Sequence, residues 1–355
     1  MKRIPELDAL RGLASIVIVA YHLWFIQYPI AGTAVDLFFV MSGYLITTII
    51  LGQSTEPNFL KKFYIRRSLR IWPIYYLGLF ATVGLLAMLA LPITSRGLIY
   101  ALTYTQHIQD YFFQPTIEFS EAFRHTWTLA IEEQFYIIWP LVIVVWGRKA
   151  IVPLACTFIV GALVGRSLGF SQWILLTRGD GLAMGGLLAL LLEPTKAHDA
   201  RFDPKKVLAF AALFAIGLRV LTLSRFGLNE NLAQRMKTVS INLGYFALIG
   251  FVVLNAGSRS LALLRDRRLV YLGQLSYGLY LYHHIIFYFV DHFSPASRVV
   301  ADALKLSLSL GLAAFSWAYI EKPILRLKHR FDYHDAKTSQ KMLSLPHNSP
   351  APITG

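Results

Sequence analysis

One cysteine, Cys156, stands in the whole 355-residue sequence, so no disulfide can close within the chain. Charge is scarce too. Asp, Glu, Lys and Arg make up 15% of residues, against about 25% in soluble domains. With 55% hydrophobic residues and a mean hydropathy of +0.51, the chain reads as an integral membrane protein, not a soluble one with a large core. Acidic residues are the scarcer sign, 20 against 34 basic ones, which leaves a formal net charge of +14. No nucleic-acid recognition motif accompanies that excess, so nucleic acid is not an expected partner. The pairs Gly161/Gly165 and Gly181/Gly185 lack the Lys-Ser/Thr of a phosphate-binding loop, and their spacing suits close helix packing instead. No repeat of regular period is present.

The apolar residues gather into windows of about 20, the length that crosses a bilayer. They lie near 9–29, 33–51, 71–91, 126–146, 150–168, 174–192, 206–223, 239–256, 269–290 and 299–319. The expected fold is an all-α polytopic membrane protein with about ten transmembrane helices. Lys and Arg concentrate on alternate connections: Lys61, Lys62 and Arg66; Arg148 and Lys149; Lys205 and Lys206; Arg265, Arg267 and Arg268. The positive-inside rule then puts both termini in the cytoplasm, in the cell inner (cytoplasmic) membrane. Residues 1–330 are expected to form one membrane domain. The polar stretch 331–355 is expected to be a disordered cytoplasmic tail. The longest outer connection, about 92–125, is long enough for a lid or a substrate-binding surface.

His22 lies in the middle of the first window, eleven positions after Arg11. At about 100° per residue, eleven steps turn a helix through three circles and roughly 20°, so the two side chains share a face. They stand roughly 16 Å apart along the axis. With Arg11 at the edge of a hydrocarbon layer about 30 Å thick, His22 sits near its middle. An ionisable group there is costly and points to function. Asp8 and Arg11, three apart, are spaced to pair. Asp36 opens the second window and, across a short loop, is expected to approach His22. A carboxylate on one imidazole nitrogen leaves the other free to take a proton. The plain alternative is a buried histidine that only ties two helices together.

Other polar residues interrupt later windows. Arg67 and Arg70 point the same way, with Arg66 nearby, and arginine forks suit phosphate oxygens. Topology anchoring alone accounts for Lys61 and Lys62. Glu132 and Glu133 point about 100° apart, so they cannot both face one site; one is expected to pair with an arginine and the other to face a cavity. Tyr280 and His283 share a helix face.

These blocks together resemble the bacterial membrane acyltransferase type 3 family. In order they read Leu7-Asp8-Ala9-Leu10-Arg11-Gly12 with Tyr21-His22, Val35-Asp36-Leu37-Phe38-Phe39, and Arg66-Arg67-Ser68-Leu69-Arg70-Ile71-Trp72-Pro73. Then come His125-Thr126-Trp127 with Glu132-Glu133-Gln134-Phe135-Tyr136, Ser276-Tyr277-Gly278-Leu279-Tyr280-Leu281-Tyr282-His283, and Glu321-Lys322-Pro323. Any one block is weak, but six in order are specific and span about residues 3–325. The family acylates sugars of O-antigens (lipopolysaccharide), exopolysaccharides, peptidoglycan and other acceptors.

The resemblance implies an acyl-CoA donor on the cytoplasmic side and an acceptor hydroxyl reached from the other side or within the bilayer. By the family's motif, Arg11 and His22 are the principal active-site pair, and Arg67 and Arg70 the paired arginines. The expected reaction moves an acetyl group from acetyl-CoA to a hydroxyl of a glycan or glycolipid. Asp36 and Glu133 join His22 and Arg11 as catalytic candidates, and Arg66, Arg67 and Arg70 hold the donor. Trp127, Glu132, Arg178, Asp180, Tyr280 and His283 are candidates for the acceptor site. No metal is expected, membrane lipids surround the protein, and a homo-oligomer stays open. Direct transfer and a covalent acyl-histidine are both open. The rival class is a sugar or lipid-linked glycan transporter or flippase.

Overall fold

A computed structural model describes residues 3–26, 31–93, 95–106, 121–171, 173–193, 203–224, 230–293 and 297–333, with backbone alone at 31, 221–224 and 230–235. Among the described residues every regular element is a helix. α1 (Pro5–Trp24) starts on Pro5, whose missing N–H is no loss in a first turn. Glu6 and Asp8 follow, near the positive end of the helix dipole. Next come α2 (Ala34–Gln53), α3 (Phe59–Met88), the short α4 (Ser95–Leu102), α5 (Trp127–Trp146) and α6 (Ile151–Ser167). Then follow α7 (Leu175–Leu191), α8 (Pro204–Ser224), α9 (Glu230–Leu254), α10 (Arg267–His292) and α11 (Arg298–Ser316). A π-helical turn, Trp317–Glu321, leads into α12 (Lys322–Arg326).

Each of the ten apolar windows falls on one of these helices. Seven of the helical segments are long and apolar enough to cross a membrane: those of α1, α2, α3, α5, α6, α9 and α11. Length and composition therefore support seven crossings of the expected ten or so, with α7, α8 and α10 standing outside that set.

Glycines decide which helices become neighbours. A Cβ on Gly12 of α1 would lie 2.6 Å from the Gly273 backbone nitrogen, and one on Gly273 would lie 1.9 Å from the Asp8 carbonyl oxygen. Only bare backbone lets α1 and α10 approach so closely. Ten residues beyond each of these glycines stand His22 and His283, and the two rings touch. α1 and α10 therefore run parallel and in register. α2 and α7 repeat the device: a Cβ on Gly43 would lie 1.8 Å from the Leu182 carbonyl, and one on Gly185 2.0 Å from that of Val40. The expected close packing at Gly181 and Gly185 is thus present.

The core between these pairs is aromatic. Phe39, Phe135, Tyr136 and Trp139 are buried, and Trp139 Nε1 donates to Thr47 Oγ1 at 2.8 Å. A buried ion pair, Arg166 to Asp180 at 2.9 Å, joins α6 to α7. The first three residues of the expected tail, 331–333, are among those described. Tyr333 stacks on Phe59 with ring centroids 5.6 Å apart, and Lys62 Nζ donates to the Tyr333 carbonyl at 3.1 Å. The rest of that tail, 334–355, lies outside the described residues, as does 107–120 of the long connection.

Candidate active site

Three cavities lie in series through the helix bundle. The first is a vestibule of about 440 Å³ lined by Arg3, Asp8, Arg11, Arg70, Glu321 and Lys322. Arg11, Arg70, Ser276 and Tyr277 also line the second, a narrow cavity of about 80 Å³ that holds Arg67 and Glu132. Val35, Thr128 and Tyr280 line both the second cavity and the third. The third holds about 440 Å³ and contains His22, His125 and His284 with Asp36, Arg124, Arg178 and Lys237. Arg11 and His22, which share one face of α1, thus mark successive cavities of one series.

The hydrogen bonds around His22 assign its tautomer. His283 Nδ1 lies 2.7 Å from the Tyr280 carbonyl and 3.2 Å from that of Leu279. A carbonyl only accepts, so His283 Nδ1 carries the proton and its Nε2 is an acceptor. His22 Nδ1 lies 3.0 Å from the Ile18 carbonyl and 3.2 Å from His283 Nε2. Both are acceptors, so His22 Nδ1 carries its proton and Nε2 is left as the basic nitrogen. His125 and His284 complete the group, stacked with centroids 5.1 Å apart. His125 Nε2 lies 3.0 Å from the Leu281 carbonyl, which ties α10 to the start of α5.

The narrow cavity is strongly cationic, with three guanidinium groups against one carboxylate. Arg67 lies over the Tyr136 ring at 3.9 Å, and its Nη2 donates to Ser42 Oγ at 3.3 Å. The Ser42 and Tyr136 hydroxyls bond to each other. Such contacts hold Arg67 rigid while the cavity keeps an excess of positive charge for an anionic ligand. Tyr280 stands where the narrow and histidine cavities meet. Its hydroxyl donates to the His125 carbonyl and accepts from Thr128 Oγ1, each at 2.6 Å.

Several expected pairings are replaced. Asp36 does not hold His22: it pairs with Arg178 at 2.9 Å, because α2 and α7 pack backbone to backbone. Asp8 pairs with Arg3 at 2.6 Å, not with Arg11. Arg66 points away from the narrow cavity and bonds to Asp332 and to the Lys328 and Phe331 carbonyls. Asp180 is sealed in its pair with Arg166 and lines none of the three cavities. Glu132 faces the narrow cavity, whereas Glu133 turns to α3 and accepts from Trp72 Nε1 at 3.1 Å. Trp127 and Arg178 do line the histidine cavity.

Sequence reasoning assigned no role to His125, His284, Lys237 or Glu321. His125 and Glu321 sit inside the quoted blocks, His284 directly follows one, and the His283-His284 doublet in an apolar helix was the available signal. Lys237 carried no signal beyond its charge.

The family model described as an acyltransferase domain matches residues 4–320. A Listeria monocytogenes serovar 1/2a protein, "Peptidoglycan O-acetyltransferase OatA", is 27% identical over 91% of this chain and 56% of its own length. "Putative peptidoglycan O-acetyltransferase YrhL" of Bacillus subtilis (strain 168) is 30% identical over 90% of this chain and 55% of its own. A Staphylococcus aureus (strain COL) protein whose name reads "Putative O-acetyltransferase" is 29% identical over 91% of this chain and 57% of its own length. The chain spans a little over half the length of these relatives. No solved structure matches. The six ordered blocks, the helix bundle they build and a family match across nearly the whole chain agree: this protein belongs to the membrane acyltransferase type 3 family.

Proposed function

We propose that the protein is a multi-pass inner-membrane O-acetyltransferase that moves an acetyl group from acetyl-CoA to a hydroxyl of a cell-surface or exported glycan. The observation that carries this reading is the series of cavities linking a cationic vestibule to a neutral, basic imidazole. The relatives' names support O-acetyl transfer, and two of them specify peptidoglycan. Parallel pairing of α1 with α10 and of α2 with α7 fits about ten alternating crossings, and the Lys and Arg on alternate connections favour both termini inside. In an alternating path of ten, the first and ninth spans run one way and the second and sixth the other.

In this reading Arg3, Arg11, Arg70 and Lys322 receive the donor's phosphates at the vestibule, and Arg67 steers its slender arm through the narrow cavity. The thioester then reaches the boundary at Tyr280 from one side while the acceptor enters the histidine cavity from the other. His22 Nε2 takes the proton of the attacking hydroxyl as its oxygen adds to the thioester carbonyl. The carbon–sulfur bond breaks, and the imidazolium returns that proton to the departing thiolate. Arg178, Arg124 and Lys237 surround the third cavity with donors that suit sugar hydroxyls and anionic groups. The transporter reading has no use for a basic nitrogen set by two successive imidazoles.

The test is acetyl transfer by purified protein, read by mass spectrometry of the glycan. His22→Ala should insert normally and lose about 10²–10⁴-fold in rate. Undiminished transfer by that variant removes His22 from the chemistry. Thermal stabilisation of the wild type by CoA separates an enzyme from a transporter, which should not respond.

A further inference from the structure

The apolar groove between α8 and α9 takes no part in the steps above. It holds about 950 Å³, with the exposed side chains of Ile216, Val220, Leu248 and Phe251 along it. Lys205 and Asn255 stand at one end and Arg219 toward the other. From Lys205 to Arg219 the helix covers about 21 Å, well over half of a hydrocarbon core about 30 Å thick.

Two residues, Thr33 and Ile241, line both this groove and the histidine cavity. The seam between the two spaces is polar: Thr33 Oγ1 lies 3.2 Å from the Tyr245 hydroxyl, and Ser240 stands on the groove wall. Lys237, one turn before Ile241, lines the histidine cavity and is near enough to Arg219 for their charges to repel. Among the described residues, the charged side chains lining the groove are Lys205 and Arg219, and the carboxylate lining the histidine cavity, Asp36, is paired with Arg178. An oily channel along α8 and α9 therefore ends at two neighbouring cations, Arg219 on its own wall and Lys237 on the wall of the cavity that holds His22. That is the outline of an amphiphile: a hydrocarbon tail, then an anionic link, then the group to be modified. A glycan free in water would need neither the tail groove nor the cations at its mouth.

We propose that the acceptor is a lipid-linked glycan, with its tail between α8 and α9, its phosphate at Lys237 and Arg219, and its sugar passing Thr33 and Ile241 to reach His22. This rests on the glycan O-acetylation proposed above and names the form in which the glycan arrives. The acceptor then enters sideways from the bilayer, at right angles to the donor's path.

The experiment offers protein in nanodiscs acetyl-CoA and one oligosaccharide in two forms, attached to a polyprenyl pyrophosphate or free in water. The lipid-linked form should show a kcat/KM about tenfold or more higher. Gly244→Phe puts a ring on the groove wall at a position where an added Cβ meets nothing within 4 Å. A thermal melt checks that the variant is folded. It should cut the preference for the lipid-linked form about fivefold or more, and Lys237→Gln should lower the same ratio. Equal kcat/KM for the two acceptors overturns the proposal. So does a preference that Gly244→Phe leaves intact, which would mark the groove as a seat for bulk membrane lipid. Transfer to neither form, with CoA still stabilising the protein, overturns instead the underlying glycan O-acetylation, and this proposal with it.

Discussion

His283 Nε2 lies 3.2 Å from His22 Nδ1, and the carbonyls around His283 make that nitrogen an acceptor. An imidazole from α10, not a carboxylate from α2, therefore orients the ring of α1. A neutral partner has a consequence. It fixes the tautomer without adding a charge that would hold the proton on His22 after the proposed transfer.

Replacing that partner separates orientation from chemistry. His283→Ala should lower kcat about tenfold to a hundredfold, with the KM for acetyl-CoA little changed. His283→Gln, whose amide oxygen still accepts, should recover part of the rate. Steady-state kinetics of the two variants decide the matter, and full activity in His283→Ala would remove the orienting role.

The two neighbouring arginines of α3 should behave differently. Arg67→Ala removes a guanidinium from the narrow cavity, and a charge-assisted contact is worth about 1.5–3 kcal/mol, tenfold or more in donor affinity. Arg66→Ala should leave donor affinity unchanged and lower the thermal midpoint, because its bonds go to residues 328–332. CoA titrations followed by thermal shift test both. Equal loss of affinity in the two variants would contradict the placement of Arg66.

Asp36 and Arg178 form a buried pair whose members are 5% and 12% exposed. Removing one partner strands the other's charge, at about 3–5 kcal/mol. Asp36→Leu alone should therefore destabilise the protein more than Asp36→Leu combined with Arg178→Met. Melting curves of the two singles and the double form the required cycle. Additive losses would mean that the pair is not coupled.

Gly273→Leu puts a side chain where even a Cβ lies 1.9 Å from the Asp8 carbonyl. Overpacking of this kind costs about 1–3 kcal/mol or more. Because His22 and His283 depend on the same helix contact, transfer should fall more than stability alone explains. Rate and melting temperature measured on one preparation test this, and a variant with unaltered kinetics would disprove it.

How far the sequence was legible follows from the range of the forces involved. The ten apolar windows fall on helices because a bilayer demands long apolar stretches with internally satisfied backbones. The shared face of Arg11 and His22, and of Arg67 and Arg70, follows from helical period, a purely local property. The partners of the charged groups were not legible. Asp36 finds Arg178 and Asp180 finds Arg166 because of which helices pack together. That packing is decided by glycine contacts such as Gly12 on Gly273, far apart in sequence. The choice between Glu132 and Glu133 was open for a related reason: 100° of rotation means nothing until the neighbouring helix is known.

If each substrate comes from its own side of the membrane, as proposed above, the path between them is, in outline, a pore. The Thr128–Tyr280 hydrogen bond lies where two of its chambers meet, and its hydroxyl pair is anchored to the His125 carbonyl. Held shut between turnovers, that bar would stop water and protons from running down the cell's electrochemical gradient. Group transfer between two compartments could then proceed without electrical leakage, and the same tyrosine would be a price every arriving thioester must meet by pushing it aside.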